Sequence, residues 1–241
     1  MSPDAVRREP AVTSAGRFNA GFEDVPDEYD ELRAHGHMAG RRFEHFSRVV
    51  AASAGDVLEL GCGTGTLLRA LAAAHPDRRF HGVEPLGNYV DFATRRAAER
   101  GLGNVRFSQG TGEDLDAVAD AGEAGLVITV DTLHHVFDGP RVVRQVHRAA
   151  RRDGRWVAME PNRVHPYVWA YHVLTDGERT FPSRRFLRHA AAAGWQLQGR
   201  SCMYLFPSGV ATVPGWAERL ERRFEGFRPT AGAVVLDLLR R

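Results

Sequence analysis

The feature that most constrains the fold of this chain is the segment 57–65, Val-Leu-Glu-Leu-Gly-Cys-Gly-Thr-Gly. An apolar stretch broken by one acid, Glu59, runs into a turn with glycine at every second position, Gly61, Gly63 and Gly65. A chain that leaves a buried strand and turns at once into a helix has little room for Cβ atoms, and glycine reaches backbone angles that other residues avoid. The segment therefore predicts a strand, a tight turn and a helix, with the turn facing a ligand.

The spacing of these glycines argues against two common phosphate-binding turns. The dinucleotide fingerprint of NAD and FAD proteins needs a third glycine where this chain has Thr66. A P-loop needs a lysine after its last glycine, and the chain contains no lysine. A glycine turn can also be purely structural, so the elements that follow it in the chain are needed to identify a ligand site.

Three further elements follow in order. The strand-like run Arg79–Glu84 ends on an acid about twenty residues after the glycine turn, where a doubly wound fold places a carboxylate that binds ribose hydroxyls. The run Val105–Ser108 leads into the polar turn Gly110–Leu115, which is suited to the rim of a base. A fourth buried strand begins at Leu126 and runs into a polar end at Val136. These elements indicate a nucleoside-binding α/β domain.

The remainder of the chain continues the alternation of helix and strand. A helix starts at Asp138-Gly139-Pro140, and the turn Asp153-Gly154 precedes a fifth strand, Arg155–Glu160. Later elements are predicted as strand six (Gly194–Tyr204), an amphipathic helix (Trp216–Phe224) and strand seven (Ala233–Leu239). This order predicts an α/β fold with a doubly wound, Rossmann-like, seven-stranded and mostly parallel sheet that carries helices on both faces.

The N-terminal part shows helical periodicity between residues 27 and 53. We expect the apolar side chains of this segment to be buried: Tyr29, Leu32, Phe43, Phe46, Val49 and Val50. Residues 1–25 mix proline, glycine, serine and charge, and are expected to be flexible.

Taken in order, these residues resemble the class I S-adenosylmethionine-dependent methyltransferases. The likeness is to the small-molecule group whose fourth strand runs into Leu-His-His-Val, here Leu133–Val136. It covers roughly residues 56–160 and rests on four elements in the right order. The resemblance implies S-adenosylmethionine as the cofactor and a single methyltransferase domain over residues 26–241, with cap helices at 26–54.

The resemblance also implies roles for residues at the carboxyl ends of the strands. The glycine turn would lie under the methionine and ribose parts of the cofactor, Glu59 would help to position its amino group, and Glu84 would bind the ribose. The implied cofactor-binding residues are Glu59, Gly61, Cys62, Gly63, Gly65, Glu84, Pro85, Thr111, Gly112, Glu113 and Val130.

Two positions depart from the family pattern. The family usually has Asp-Ala before its Glu-Asp-Leu triplet, where this chain has Thr111-Gly112. Contacts to adenine would then come from Thr111, the amide of Gly112 and Glu113. Ala124-Gly125 replaces the Phe-Asp that usually begins strand four, which we interpret as a structural change.

Candidate catalytic residues lie after strands four and five. Methyl transfer mainly requires that the acceptor be aligned with the reactive methyl, and an alcohol acceptor also needs a base, for which neutral imidazole is suited. His135 is the first candidate and His134 the second, although this pair could instead be a packed feature of the fold. Glu160 and His165 are further candidates. Metal-assisted deprotonation is disfavoured because no ligand spacing such as H-E-x-x-H occurs.

The segment after strand five departs from the regular pattern. Small-molecule methyltransferases with a similar Glu-Pro-Asn lead from it into helices that cover the acceptor, so the resemblance implies a lid around residues 161–193. Its aromatic helix, 167–174, includes His172 and could equally pack in the core. Tyr29, His35 and His37 are candidates to close the site from the N-terminal side.

Composition and charge indicate which partners and which cellular location to expect. A net charge of +2 gives no strong field for nucleic acid or anionic lipid, and the all-arginine basic set fits a GC-rich genome. Two cysteines far apart in sequence, no signal peptide and no bilayer-length apolar run predict a cytoplasmic protein with no disulfide and no membrane span.

The predicted function is methyl transfer from S-adenosylmethionine to a small molecule, with a hydroxyl of a secondary metabolite, sugar or lipid-like compound as the favoured acceptor. N-methylation remains open, because an amine needs only to be neutral and aligned. An RNA methyltransferase is disfavoured by the lack of Asn/Asp-Pro-Pro-Tyr/Phe and of a basic, aromatic extension. A cofactor-binding partner protein without catalysis is the alternative from another class, and the oligomeric state is left open.

Overall fold

The computed structural model describes residues 25–175, 179–207 and 210–241. The segment predicted to be flexible, 1–25, lies outside the described residues except for its last position.

Seven strands form one sheet in the order β3-β2-β1-β4-β5-β7-β6. The strands are β1 (Asp56–Leu60), β2 (Phe80–Glu84), β3 (Val105–Gln109), β4 (Ala124–Val130), β5 (Ala150–Pro161), β6 (Trp195–Met203) and β7 (Ala233–Arg240). The first five strands pair in parallel, and β7 lies antiparallel between β5 and β6. This confirms the predicted doubly wound, mostly parallel sheet.

Eight helices of the described part surround the sheet. They are α1 (Pro26–Ala34), α2 (His37–Ala51), α3 (Thr66–Ala74), α4 (Gly87–Glu99), α5 (Gly139–Ala149), α6 (Pro166–Leu174), α7 (Ser183–Ala192) and α8 (Gly215–Phe224). Two short 3₁₀ turns cover Leu115–Ala117 and Arg228–Thr230.

The core lies in two layers, one on each face of the sheet. Because successive side chains of a strand point to opposite faces, Leu58 and Val57 of β1 belong to different layers. The layer of Leu58 is closed by α5 and α7, and the layer of Val57 by α2 and α3. Burial on both faces explains why the central strands read as continuous apolar runs.

The structure corrects two expectations from the sequence, which are the burial of Leu32 and the start of β5. Phe46, Val49 and Val50 are buried as predicted, and Tyr29 and Phe43 are half-buried. Leu32 is 62% exposed, because Asp30 and Arg33 of its helix face the domain instead. The periodic segment also forms two helices, which are separated at Gly36, where φ is +88°. Strand β5 begins before the predicted turn, because an irregularity in its pairing with β4 accommodates Asp153, which has φ of +59°.

Both cysteines are buried free thiols. Among the described helices, none is long and apolar enough to cross a membrane.

Candidate functional site

The glycine turn lies at the carboxyl end of β1 and is held by an acid at the end of β2. The Gly63 amide donates to Glu84 Oε2 at 2.9 Å, and the Leu86 amide donates to Glu84 Oε1 at 3.2 Å. Burial raises the pKa of Glu84 to about 7, although these two amide bonds act in the opposite direction. Glu84, the predicted ribose-binding acid, therefore also orders the turn.

At two of the predicted glycine positions, close neighbours leave no room for a side chain. Gly61 has φ of +70°, and a Cβ on it would overlap the side chain of Thr132 from the loop after β4. Gly63 has φ of +55°, and a Cβ on it would lie 3.0 Å from the ring of Tyr29. The turn is thus packed between the end of β4 and helix α1.

Glu59 is a buried acid beside this turn. It is 3% exposed, and its Oε2 has no hydrogen-bond partner among the described residues. Burial raises the pKa of Glu59 to about 8, while the charges of Arg33 and Arg42 lower it. A buried carboxylate with an open acceptor position suits a cationic ligand group, such as the amino group of an amino acid.

Helix α1 is fastened over the turn by Asp30. The carboxylate of Asp30 accepts from Thr64 Oγ1 at 2.9 Å, from the hydroxyl of Thr66, and from Arg69 Nη2 at 2.6 Å. One helical turn further on, Arg33 Nη1 donates to Asp131 Oδ2 at 3.0 Å. No sequence pattern predicts these contacts, because they join residues far apart in the chain without a fixed spacing.

Tyr29, His35 and His37, the candidates to close the site from the N-terminal side, lie in three different environments. The ring of Tyr29 lies over Gly63 and 5.3 Å from the ring of Tyr89, so this residue covers the glycine turn. His37 is hydrogen-bonded to Glu221 of α8, which joins α2 to α8. His35 is exposed at the end of α1.

The loop predicted to border the adenine is held mainly by contacts with the start of α5. Glu113 Oε1 accepts from the amides of Phe137 and Asp138 at 2.9 and 3.2 Å, which ties the loop to the start of α5. Gly112 packs against Leu60, and the Thr111 hydroxyl accepts a backbone N–H within the loop.

The other predicted cofactor residues lie around the same strand ends. Gly65, with φ of +73°, precedes α3, and the Pro85 carbonyl accepts from Gln109. Cys62 and Val130 are buried, and burial raises the pKa of the Cys62 thiol.

A buried histidine and a buried acid form the second part of the site. His134 Nδ1 and Glu160 Oε2 are 2.8 Å apart, and their side chains are 3% and 1% exposed. The other oxygen of Glu160 accepts from the amides of Thr132 and Leu133 at 3.1 and 2.8 Å. Glu160 therefore fixes the loop after β4 and the orientation of the His134 ring.

Further rings surround His134. The ring centroid of His135 lies 4.0 Å from that of His134, and the ring of His172 on α6 meets it edge-on at 5.5 Å. Arg179 donates to the His135 carbonyl at 3.1 Å. Of the predicted catalytic residues, the structure thus brings together His134, His135 and Glu160, whereas His165 caps the first turn of α6 through a bond from the Val168 amide.

Comparison with known proteins matches the central segment of the chain to a protein family. A family model described as a methyltransferase domain matches residues 57–154. The uncharacterized methyltransferase YcgJ of Bacillus subtilis is 34% identical over 104 residues, which are 43% of this chain and 40% of that protein. A tRNA (guanine-N(7)-)-methyltransferase of Alcanivorax borkumensis is 29% identical over 187 residues, 76% of this chain and 70% of that protein.

The chain is also similar to solved structures. The [4+2]-cyclase SpnF superposes with a TM-score of 0.68 at 19% identity, over 96% of this chain and 98% of that one. This likeness shows the fold alone. That protein is named as a cyclase, so the shared fold does not identify the reaction, which depends on the residues of the site.

Proposed function

We propose that this chain, whose residues 57–154 form a class I S-adenosylmethionine-dependent methyltransferase domain, transfers a methyl group to a hydroxyl of a small molecule. The cofactor is S-adenosylmethionine, which supplies a methyl group on a positively charged sulfur. The protein's own part is then to bind the cofactor, to align the acceptor and to accept its proton.

Residues of the first part of the site fit the cofactor. Glu59, buried and with one oxygen unpartnered among the described residues, would take the amino group. Glu84 would take the ribose hydroxyls next to the turn that it already orders. Helix α1, fastened by Asp30, would cover the bound cofactor as part of a cap formed by residues 26–54.

The His134–Glu160 pair is the observation that favours a hydroxyl as the methyl acceptor. A carboxylate at 2.8 Å favours the proton on Nδ1, so Nε2 becomes the basic nitrogen of the ring. A histidine oriented by an acid is the arrangement that removes a proton from a hydroxyl in many unrelated enzymes. We therefore assign His134 as the base and Glu160 as the residue that positions it, and His135 as the alternative base.

The burial of the His134–Glu160 pair favours a small molecule as the methyl acceptor. His134 is 6% exposed, and the ring of His172 from α6 lies against it. The segment 161–193, which contains α6, would act as a lid over the acceptor. A small molecule fits behind such a cover more readily than a base within a folded RNA.

A tRNA methyltransferase is the second candidate, favoured by the relatives named for guanine N7. That nitrogen carries a lone pair and no proton, so its methylation leaves the His134–Glu160 pair without a proton to remove. A neutral amine attacks through its lone pair, so the transfer to it needs no base. A partner protein that binds the cofactor without catalysis would release no S-adenosylhomocysteine.

Methyl-labelled S-adenosylmethionine distinguishes these candidates. The purified protein is incubated separately with a small-molecule extract of cells and with total tRNA, and the products are separated by mass. We expect label in a low-mass product whose mass and fragments show a methyl ether. Label in tRNA or in a methylated amine would overturn the hydroxyl assignment, and cofactor binding with no turnover on any acceptor would support the non-catalytic alternative.

A further inference from the structure

Helix α8 presents apolar side chains to the outside of the protein. Trp216, Leu220 and Phe224 are 65%, 50% and 48% exposed, and they recur every four residues, which places them along one stripe of the helix. Phe227, 60% exposed, follows just after the helix. We call these four residues the α8 ridge.

The inward side of α8 is charged, which is the reverse of an ordinary surface helix. Glu221 is 1% exposed and is bonded to Arg41 and His37 of α2. Glu225 accepts from Arg41 Nη2 at 2.8 and 2.9 Å. These buried ion pairs fix the rotation of α8, so the ridge is held outward by the fold.

The charge around the ridge is positive. Arg219 and Arg223 are exposed on α8, Arg228 follows Phe227, and none of the three has an ion-pair partner within the described part of the chain. The neighbouring acids Glu44 and Glu218 are both paired with Arg222.

A further arginine extends this positive region. Burial lowers the pKa of the Arg200 guanidinium on β6, and the charges of Arg228 and Arg184 act in the same direction.

A second exposed apolar element begins close to the end of α8. Asn162, four residues before α6, donates through Nδ2 to the carbonyls of Arg228 and Ala231 at 2.6 and 2.8 Å. Helix α6 buries none of its side chains, and Tyr167 and Leu174 are 67% and 82% exposed. The segment that leads into this second exposed apolar helix is therefore joined to the residues that follow the ridge.

We propose that the α8 ridge and its arginines dock this protein on the headgroup region of an anionic lipid bilayer. Tryptophan, leucine and phenylalanine on one stripe with arginine beside them is the pattern of helices that lie in a membrane interface. A second copy of the chain fits less well, because the unpaired arginines of two equivalent ridges would face each other. Single-stranded RNA fits less well because Leu220 and Leu174 offer no ring for a base. The proposal does not depend on the identity of the methyl acceptor.

Vesicle sedimentation tests this surface. We expect the protein of 241 residues to bind vesicles of phosphatidylcholine with phosphatidylglycerol at least about tenfold more than vesicles of phosphatidylcholine alone. Leu220→Ser and the double variant Arg219→Gln/Arg223→Gln should each reduce binding by about tenfold. The matched controls, Leu197→Ser on β6 and Arg144→Gln on α5, should bind like the unmodified protein.

Circular dichroism spectra and unfolding midpoints of all variants would show that the fold is retained, as expected for exposed positions. Equal binding by the Leu220→Ser variant and its control would overturn the proposal. So would sedimentation showing a dimer that Leu220→Ser dissociates, or binding of single-stranded RNA together with no binding to the anionic vesicles.

Discussion

His134 and Glu160 come from the ends of two neighbouring strands, β4 and β5, and are joined in the interior by a 2.8 Å contact between Nδ1 and Oε2. The same carboxylate accepts the amides of Thr132 and Leu133. One acid thus holds both the loop after β4 and the ring that we assign as the base. Loss of its charge is expected to affect chemistry more than folding, because an amide of the same size can still accept the two N–H bonds.

Glu160→Gln should keep the fold and lose methyl transfer. The glutamine amide can donate toward Nδ1, which favours the proton on Nε2 and removes the basic nitrogen. We expect the transfer rate to fall about 100-fold, within the range that general bases contribute. Urea unfolding should show a loss of stability near 1 kcal/mol. Glu123→Gln, at an exposed acid, is the matched control, and a rate equal to that control would contradict the positioning role.

Cofactor binding should release protons through Glu59. Its pKa of about 8 lies above the ordinary 4.5, so the carboxyl is largely protonated at pH 7 before binding, and a cationic amino group would favour ionisation. Calorimetric titration of S-adenosylmethionine in buffers of different ionisation enthalpy measures the protons released. Glu59→Gln should release fewer protons near pH 7. Equal release by both proteins would show that Glu59 does not meet a cation.

The same residue sets a pH dependence of stability without cofactor. Since burial raises the pKa of Glu59 above its unfolded value, its contribution to stability is complete below pH 4.5 and is lost as pH rises toward 8. Glu59→Gln should therefore weaken the decline in unfolding free energy between pH 5 and 8. An identical decline in the variant would contradict the raised pKa.

Asp30→Ala should loosen helix α1. The change leaves Arg69, which is 1% exposed, without its carboxylate partner at 2.6 Å, and breaking such a buried pair costs about 3 kcal/mol. The control Asp27→Ala breaks an exposed pair with Arg96 and should cost less than about 1 kcal/mol. Urea unfolding compares the two variants, and stopped-flow dissociation should show faster release of S-adenosylmethionine from Asp30→Ala alone. Similar losses in both variants would show that Asp30 is not a fastening point.

Gly61→Ala should abolish cofactor binding. The new Cβ would overlap Thr132, so the glycine turn or the loop after β4 must move. Gly101→Ala is the matched control, because Gly101 has a similar positive φ of +66° but open space around its Cβ position. The control should lose about 1 kcal/mol of stability and keep its affinity for S-adenosylmethionine. Unchanged affinity in Gly61→Ala would contradict the placement of the turn.

The sequence predicted the sheet because its central strands are buried on both faces and appear as apolar runs, with Val57 and Leu58 facing opposite layers. Helix α1 was predicted less well. Its periodicity suggested a buried Leu32, but polar contacts of Asp30 and Arg33 turn that side chain outward. Contacts of this kind join remote positions and leave no periodic pattern in the sequence.

Prediction of the site was limited in a similar way. The pair of histidines after β4 was recognisable, but the sequence does not show that Glu160 selects His134 rather than His135. Net charge describes the chain as a whole and not its local surfaces. A total of +2 conceals the local excess of arginine beside the α8 ridge, since the acids of that region are paired inward or with Arg222.

The most direct test of the account is the single-turnover rate of methyl transfer by His134→Gln, measured at saturating cofactor on the acceptor found with labelled S-adenosylmethionine. Glutamine at this position can still donate to Glu160 but cannot take a proton from a hydroxyl. We predict a rate at least about 100-fold below that of the unmodified protein, with affinity for S-adenosylmethionine changed by less than about twofold. A rate within about threefold of the unmodified protein would contradict the assignment of His134 as the base.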